Sequence, residues 1–204
     1  MSDRESGGTD PSQSAAQTPA SAAGQSARRL PGDLTLGDLV DRIVRVDHAG
    51  EYGASRIYDG QLAVLGGRPG DTVIRRMAEQ ERRHLAAFER LMVDRRARPT
   101  LLHPLWHLTG FALGLGTALL ARRAAMACTV AVEEAIEEHY TRQIERLGED
   151  EPELRTLLAE CRRDEVEHRD IGLAEGAREA PAYELLTGAI KAGSRVAIWL
   201  SERM

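Results

Sequence analysis

The sequence predicts an all-α protein: a four-helix bundle of two helical hairpins joined by a long apolar crossover, plus a C-terminal amphipathic helix or helices. Three observations carry the prediction. Apolar residues recur at helical spacing, aromatic residues make up only 4% of the chain, and runs of alternating β-branched residues are almost absent. A Glu followed about thirty residues later by Glu-x-x-His occurs twice, first as Glu51 with Glu81 and His84, then as Glu133 with Glu165 and His168. Between the two copies, residues 101–121 carry no Asp, Glu, Lys or Arg.

Residues 1–32 are mostly Ser, Ala, Gly, Gln, Thr and Pro, a composition that buries too little apolar surface to fold, so a disordered tail is expected there and one folded domain over 33–204. The tail has no apolar core of the signal-peptide kind, and Asp3 and Glu5 argue against a transit peptide. The first helix should begin near Leu34 to Leu36, capped by Thr35 or Asp33, and it places Val40, Ile43, Val44, Ala54 and Tyr58 around Glu51. Residues 66–70, with three glycines and Pro69, read as a turn, and Asp71 is positioned to cap the second helix. That helix carries Ile74, Met77, Ala78, Glu81, Leu85, Phe88, Leu91 and Met92 on one stripe, and Pro99 ends it or its extension.

The third helix sets Met126, Thr129, Val130, Ile136 and Tyr140 around Glu133. Residues 148–152 make the matching turn, with Glu153 in the first turn of a fourth helix that reads Leu154, Leu157, Leu158, Cys161, Glu165, His168 and Ile171. Beyond Gly176, residues 181–203 form the added amphipathic segment.

The crossover at 101–121 is long enough to span a bilayer, which needs about 20 apolar residues. Spanning would put Glu51, Glu81 and His84 on one side and Glu133, Glu165 and His168 on the other, and no shared site could form. The segment is therefore expected to lead into the third helix, either wholly buried or partly resting in a membrane surface.

All four glutamates lie on apolar stripes. Burying one unpaired carboxylate costs several kcal/mol, so four in one core require protons or cations, and the arginines cluster off the stripes. Two divalent cations would match the four charges. Carboxylate with imidazole suits iron, manganese or zinc, with iron the leading choice. Asp47 and Asp164 are candidates to accept the second ring N–H of a ligating histidine. Glu134 and Glu137 compete with Glu133, which is preferred by its register with Glu165. The net charge of −5 points away from nucleic acid, and Cys128 and Cys161, on apolar stripes, read as packed thiols.

From about Leu39 to the C-terminus the chain resembles the demethoxyubiquinone hydroxylases, di-iron enzymes of ubiquinone biosynthesis. The stretches that carry the resemblance are RVDHAGEYG (45–53), RPT (98–100), PLW (104–106), GFALG (110–114), MACTVAVEE (126–134), DEVEH (164–168) and RVAIWLSER (195–203). The resemblance implies a ferritin-like bundle in which Glu51, Glu81, His84, Glu133, Glu165 and His168 hold two iron ions. It further implies a polyprenyl methoxy-benzoquinol substrate hydroxylated with dioxygen, with electrons from NADH or the quinol itself. Tyr140 and His139 look like part of the quinone-binding wall. The substrate's tail shifts the crossover toward membrane contact, and a peripheral position on the cytoplasmic face of the cell membrane, with ubiquinone-biosynthesis protein partners, is expected. The rival from another class is a soluble ferritin-like protein that stores or detoxifies iron.

Overall fold

In the computed structural model, which describes residues 34–204, the first helix begins where Thr35 caps it. The Thr35 hydroxyl accepts from the Asp38 N–H at 3.0 Å, and the Asp38 carboxylate accepts from the Thr35 N–H at 3.1 Å, so each residue satisfies a backbone donor of the other. Asp33 and the expected tail at 1–32 lie outside the described residues. Helix α1 then runs Leu36–Leu65, followed by α2 (Asp71–Arg95), α3 (His103–Leu120), α4 (Arg122–Leu147), α5 (Pro152–Ala174), a short 3-10 turn (Ala177–Glu179) and α6 (Tyr183–Ser201). Among the described residues there is no strand.

Two boundaries differ from expectation. Gly70, with φ at 87°, precedes α2 as its cap, and Asp71 is the first helical residue. Its carboxylate accepts from the Gly67 N–H at 2.7 Å and from Arg75 at 3.0 Å, so the acid still holds the positive end of the helix. The same helix stops before Pro99, because Arg96 adopts φ 54° and its N–H closes back on Met92 and Val93.

Helix α1 packs on α2 and α4 on α5, and the two hairpins meet α1 to α4 and α2 to α5. Each of these four helices carries its Glu between two apolar layers. Val40, Val44, Phe88, Tyr140, Leu154 and Leu158 belong to one layer, and Leu65, Ile74, Met77, Met126 and Val130 to the other. The acidic residues therefore sit across the middle of the core.

The crossover is itself a helix, α3, ended by an extended residue at Ala121, and it lies along α1. None of the described helices is long and apolar enough to cross a membrane. The α1–α3 approach is set by glycine. A Cβ at Gly114 would stand 1.9 Å from the Ile57 carbonyl oxygen, and one at Gly60 would stand 2.3 Å from that of Phe111. Both obstacles are backbone, which has no rotamer to move. Gly114→Ala should therefore lower the denaturant midpoint, by about 1–3 kcal/mol of overpacking against a gain of about 1 kcal/mol in helix propensity. An unchanged or raised midpoint would show that the two backbones can separate freely.

Candidate metal centre

Glu51 comes from α1, Glu81 and His84 from α2, Glu133 from α4, and Glu165 and His168 from α5. In α2 and α5 the i, i+3 spacing places Glu and His one turn apart on the same inward face. All six are buried, His84 being the most exposed at 8%. The His84 Nδ1 lies 3.5 Å from Glu51 Oε2 and 3.4 Å from Glu165 Oε1. The His168 Nδ1 lies 3.0 Å from Glu81 Oε1 and 3.5 Å from Glu165 Oε2.

Donor atoms of Glu51, Glu81, His84 and Glu165 fall within 4.8 Å of one another, and so do those of Glu81, Glu133, Glu165 and His168. Glu81 and Glu165 belong to both groups. The two groups overlap in these two carboxylates, and each adds a Glu and a His of its own.

Each ring is held from behind. The His84 Nε2 is 3.0 Å from Asp164 Oδ2, and the His168 Nε2 is 3.2 Å from Gln80 Oε1. An acceptor at Nε2 keeps the proton there and leaves the Nδ1 lone pair aimed inward. The end carboxylates are held in the same way, since Tyr58 donates to Glu133 Oε1 at 2.8 Å and Tyr140 donates to Glu51 Oε1.

Both oxygens of Glu81 and of Glu165, one oxygen each of Glu51 and Glu133, and both inward Nδ1 atoms are buried and make no hydrogen bond. An unsatisfied buried polar atom costs about 1–3 kcal/mol, and more when charged. Eight of them gathered in these two groups make an environment that divalent cations would satisfy, and the carboxylate and imidazole donors fit iron, manganese or zinc. Without cations the cluster must hold protons. Burial, then repulsion from Glu165, pushes the Glu81 and Glu133 carboxyls well above the usual range, and burial also raises Glu165. For His84 burial opposes charge, but the Glu165 and Glu51 carboxylates beside its Nδ1 outweigh it and raise the imidazole to about 11. His168 is lowered, chiefly by burial.

Among the competing acids of α4, only Glu133 is buried. Glu134 pairs with Lys191, and Glu137 pairs with Arg169 at 2.5 Å. Asp164 occupies the place expected of it behind a histidine, but Asp47 does not. It lies 3.4 Å from His139 and accepts from Gln143 at 2.7 Å, with its carboxyl raised by burial. His139 is buried in that network, and Tyr140 lies in the acidic cluster.

Neither Tyr140 nor His139 lines the large cavity beside the cluster. That cavity, about 490 Å³, is lined by α1, α3, α4 and α6 and opens to the surface, and its wall is almost wholly apolar. Sequence reasoning missed it, and it missed Gln80 and the hydrogen bond from Tyr58. The signal for the last two was present in the duplication: Gln80 precedes Glu81 as Asp164 precedes Glu165, and Tyr58 follows Glu51 at the same distance as Tyr140 follows Glu133.

The chain is 62% identical over 177 residues to the 3-demethoxyubiquinol 3-hydroxylase of Rhodospirillum rubrum, covering 86% of this chain and 84% of that one. It is 54% identical over 187 residues to the human mitochondrial NADPH-dependent 3-demethoxyubiquinone 3-hydroxylase (88% and 86% covered). It is also 40% identical over 183 residues to the mitochondrial 5-demethoxyubiquinone hydroxylase of Saccharomyces cerevisiae (81% and 78%). The family model described as ubiquinone biosynthesis protein COQ7 matches residues 38–201, nearly everything from the first helix to the last, and the chain belongs to that family.

Proposed function

We propose that this chain is a di-iron monooxygenase that hydroxylates the ring of a polyprenyl methoxy-benzoquinol (demethoxyubiquinol) with dioxygen in ubiquinone biosynthesis. The observation that carries the reading is the six-donor cluster together with an apolar cavity lined by the chain neighbours of two of its glutamates. Iron storage would use the first and has no need of the second.

The two features share helices. Gly50 and Val132 line the cavity, and each immediately precedes a glutamate of the cluster, Glu51 and Glu133. Val46, Ile57, Leu113, Ile136, Ile190 and Ile198 give the cavity walls that exclude water and accept a hydrocarbon chain. A Cβ at Gly50, Gly53 or Gly193 would meet nothing within 4 Å, so packing does not explain three glycines inside helices, each costing about 1 kcal/mol relative to Ala. They keep the cavity open.

Bound in the cluster, two iron ions supply the electrons that activate dioxygen. The protein's own groups prepare that chemistry. Asp164 and Gln80 fix the histidines in the tautomer that offers Nδ1, and Tyr58 and Tyr140 orient the end carboxylates. Glu81 and Glu165 reach both positions and hold them together. Tyr140, through Glu51, and His139 beside it are assigned to the end of the cluster that senses the quinol ring. The reductant is NADH or NADPH, the latter because the human relative is named NADPH-dependent.

The substrate's tail resides in lipid, and the two outer walls of the cavity, α3 and α6, also expose Leu105, Leu108, Leu119, Leu120, Leu185 and Trp199. We assign that surface to peripheral docking on the cytoplasmic face of the cell membrane, where ubiquinone-biosynthesis partners would assemble.

The test is turnover of the iron-loaded full chain with a short-chain demethoxyubiquinol, reductant and ¹⁸O₂. One labelled oxygen in the ring product is expected, and dioxygen consumption with an unmodified ring would refute the reading. Gly53→Leu should raise KM roughly tenfold or more without loss of metal, since excluding two buried CH₂ groups forfeits about 1.6 kcal/mol. An unchanged KM would place the substrate elsewhere.

A further inference from the structure

The internal duplication makes each half of the cluster a control for the other. Glu51 corresponds to Glu133, Tyr58 to Tyr140, Glu81 to Glu165 and His84 to His168, and each pair is used alike across the bundle. The equivalence ends one residue before each shared carboxylate. There one half has Asp164 and the other has Gln80, and these are the two groups that accept from the histidines' Nε2 atoms.

The two acceptors differ in charge. A carboxylate at 3.0 Å polarises the His84 ring toward imidazolate and makes its Nδ1 a stronger donor, while adding a negative charge near the ion that His84 faces. The Gln80 amide at 3.2 Å orients His168 without contributing charge. A second, independent asymmetry points the same way. Asp164, behind His84, is about a third exposed and His84 itself keeps 8% exposure, whereas His168 has none, so an arriving cation meets the His84 end first.

We infer that the two metal positions are unequal: the one held by Glu51 and His84, with Asp164 behind it, binds divalent cation more tightly and fills first, and Gln80 is the positioning residue that keeps the other weaker. The inference rests on the two-metal reading of the cluster.

Cobalt(II) titration of the metal-free full chain, followed by visible absorption and by calorimetry, tests it without turnover. Two ions per chain should bind in two steps whose Kd values differ roughly 10–100-fold, the usual weight of a group hydrogen-bonded to a ligand. Asp164→Asn should weaken the tighter step by that factor and bring the two together. Gln80→Glu, which keeps the shape of the side chain, should instead strengthen the weaker step and leave the tighter one unchanged. A single step for two equal sites in the unaltered chain, or an Asp164→Asn effect confined to the weaker step or spread equally over both, would overturn the inequality. Fewer than two ions per chain would overturn the two-metal reading, and the inference with it.

Discussion

Glu165→Ala is expected to empty the metal centre and abolish ring hydroxylation. Glu165 is wholly buried, belongs to both donor groups, and has both oxygens without a hydrogen bond. Removing it takes a donor from each position at once, so metal affinity should fall by more than the roughly 10–100-fold that loss of a neighbouring hydrogen-bonded group costs. Metal analysis and turnover should drop together. Retention of two ions per chain would show that Glu165 is not shared between them. The isosteric Glu165→Gln adds a second readout. It removes one of four crowded carboxylates without leaving a cavity, so in metal-free protein at neutral pH it should be more stable than the unaltered chain. A site built to bind cations destabilises the fold that contains it, and removing a ligand exchanges function for stability.

Removing the metal should reverse the way stability responds to pH. The folded-state values of Glu81, Glu133 and Glu165 lie above the ordinary carboxyl value of 4.5, and His84 lies at about 11. Each group therefore binds its proton more tightly folded than unfolded. The sign follows: this stabilisation is complete below the unfolded values and is lost as pH rises through the folded ones. Metal-free protein should lose stability from about pH 5 upward, by about 1.4 kcal/mol per pH unit for each net proton released on unfolding. Loaded protein should show the opposite trend across the acid range, because protons then compete with the cations for the same oxygens. Melting curves at pH 5 and pH 8, with and without metal, measure both slopes. Metal-free protein that melts higher at pH 8 than at pH 5 would contradict the crowding of these carboxylates.

Much of this could be read from residue spacing because helical periodicity is local. The stripe through Ile74, Met77, Glu81 and Phe88 requires Glu81 to share a face with apolar residues whatever the rest of the chain does. The same logic placed Glu51, Glu133 and Glu165 in the core. It could not choose firmly among Glu133, Glu134 and Glu137, since neighbouring acids on one helix are separated only by what packs on each side. Lys191 and Arg169, distant in sequence, draw Glu134 and Glu137 to the surface. Asp47 shows the same limit: its register suited a ligating histidine, but Gln143 and His139 on α4 claimed it.

Helix period and chain length are local constraints, and they sufficed for an all-helical chain, its two hairpins and the six donors that face inward. Which groups stand behind each histidine, the backbone contact of α3 on α1, and the apolar cavity that four helices line came only with the packed fold. Those outcomes depend on the distance between elements far apart in the chain. Interhelical packing sets that distance, and no single helix encodes it.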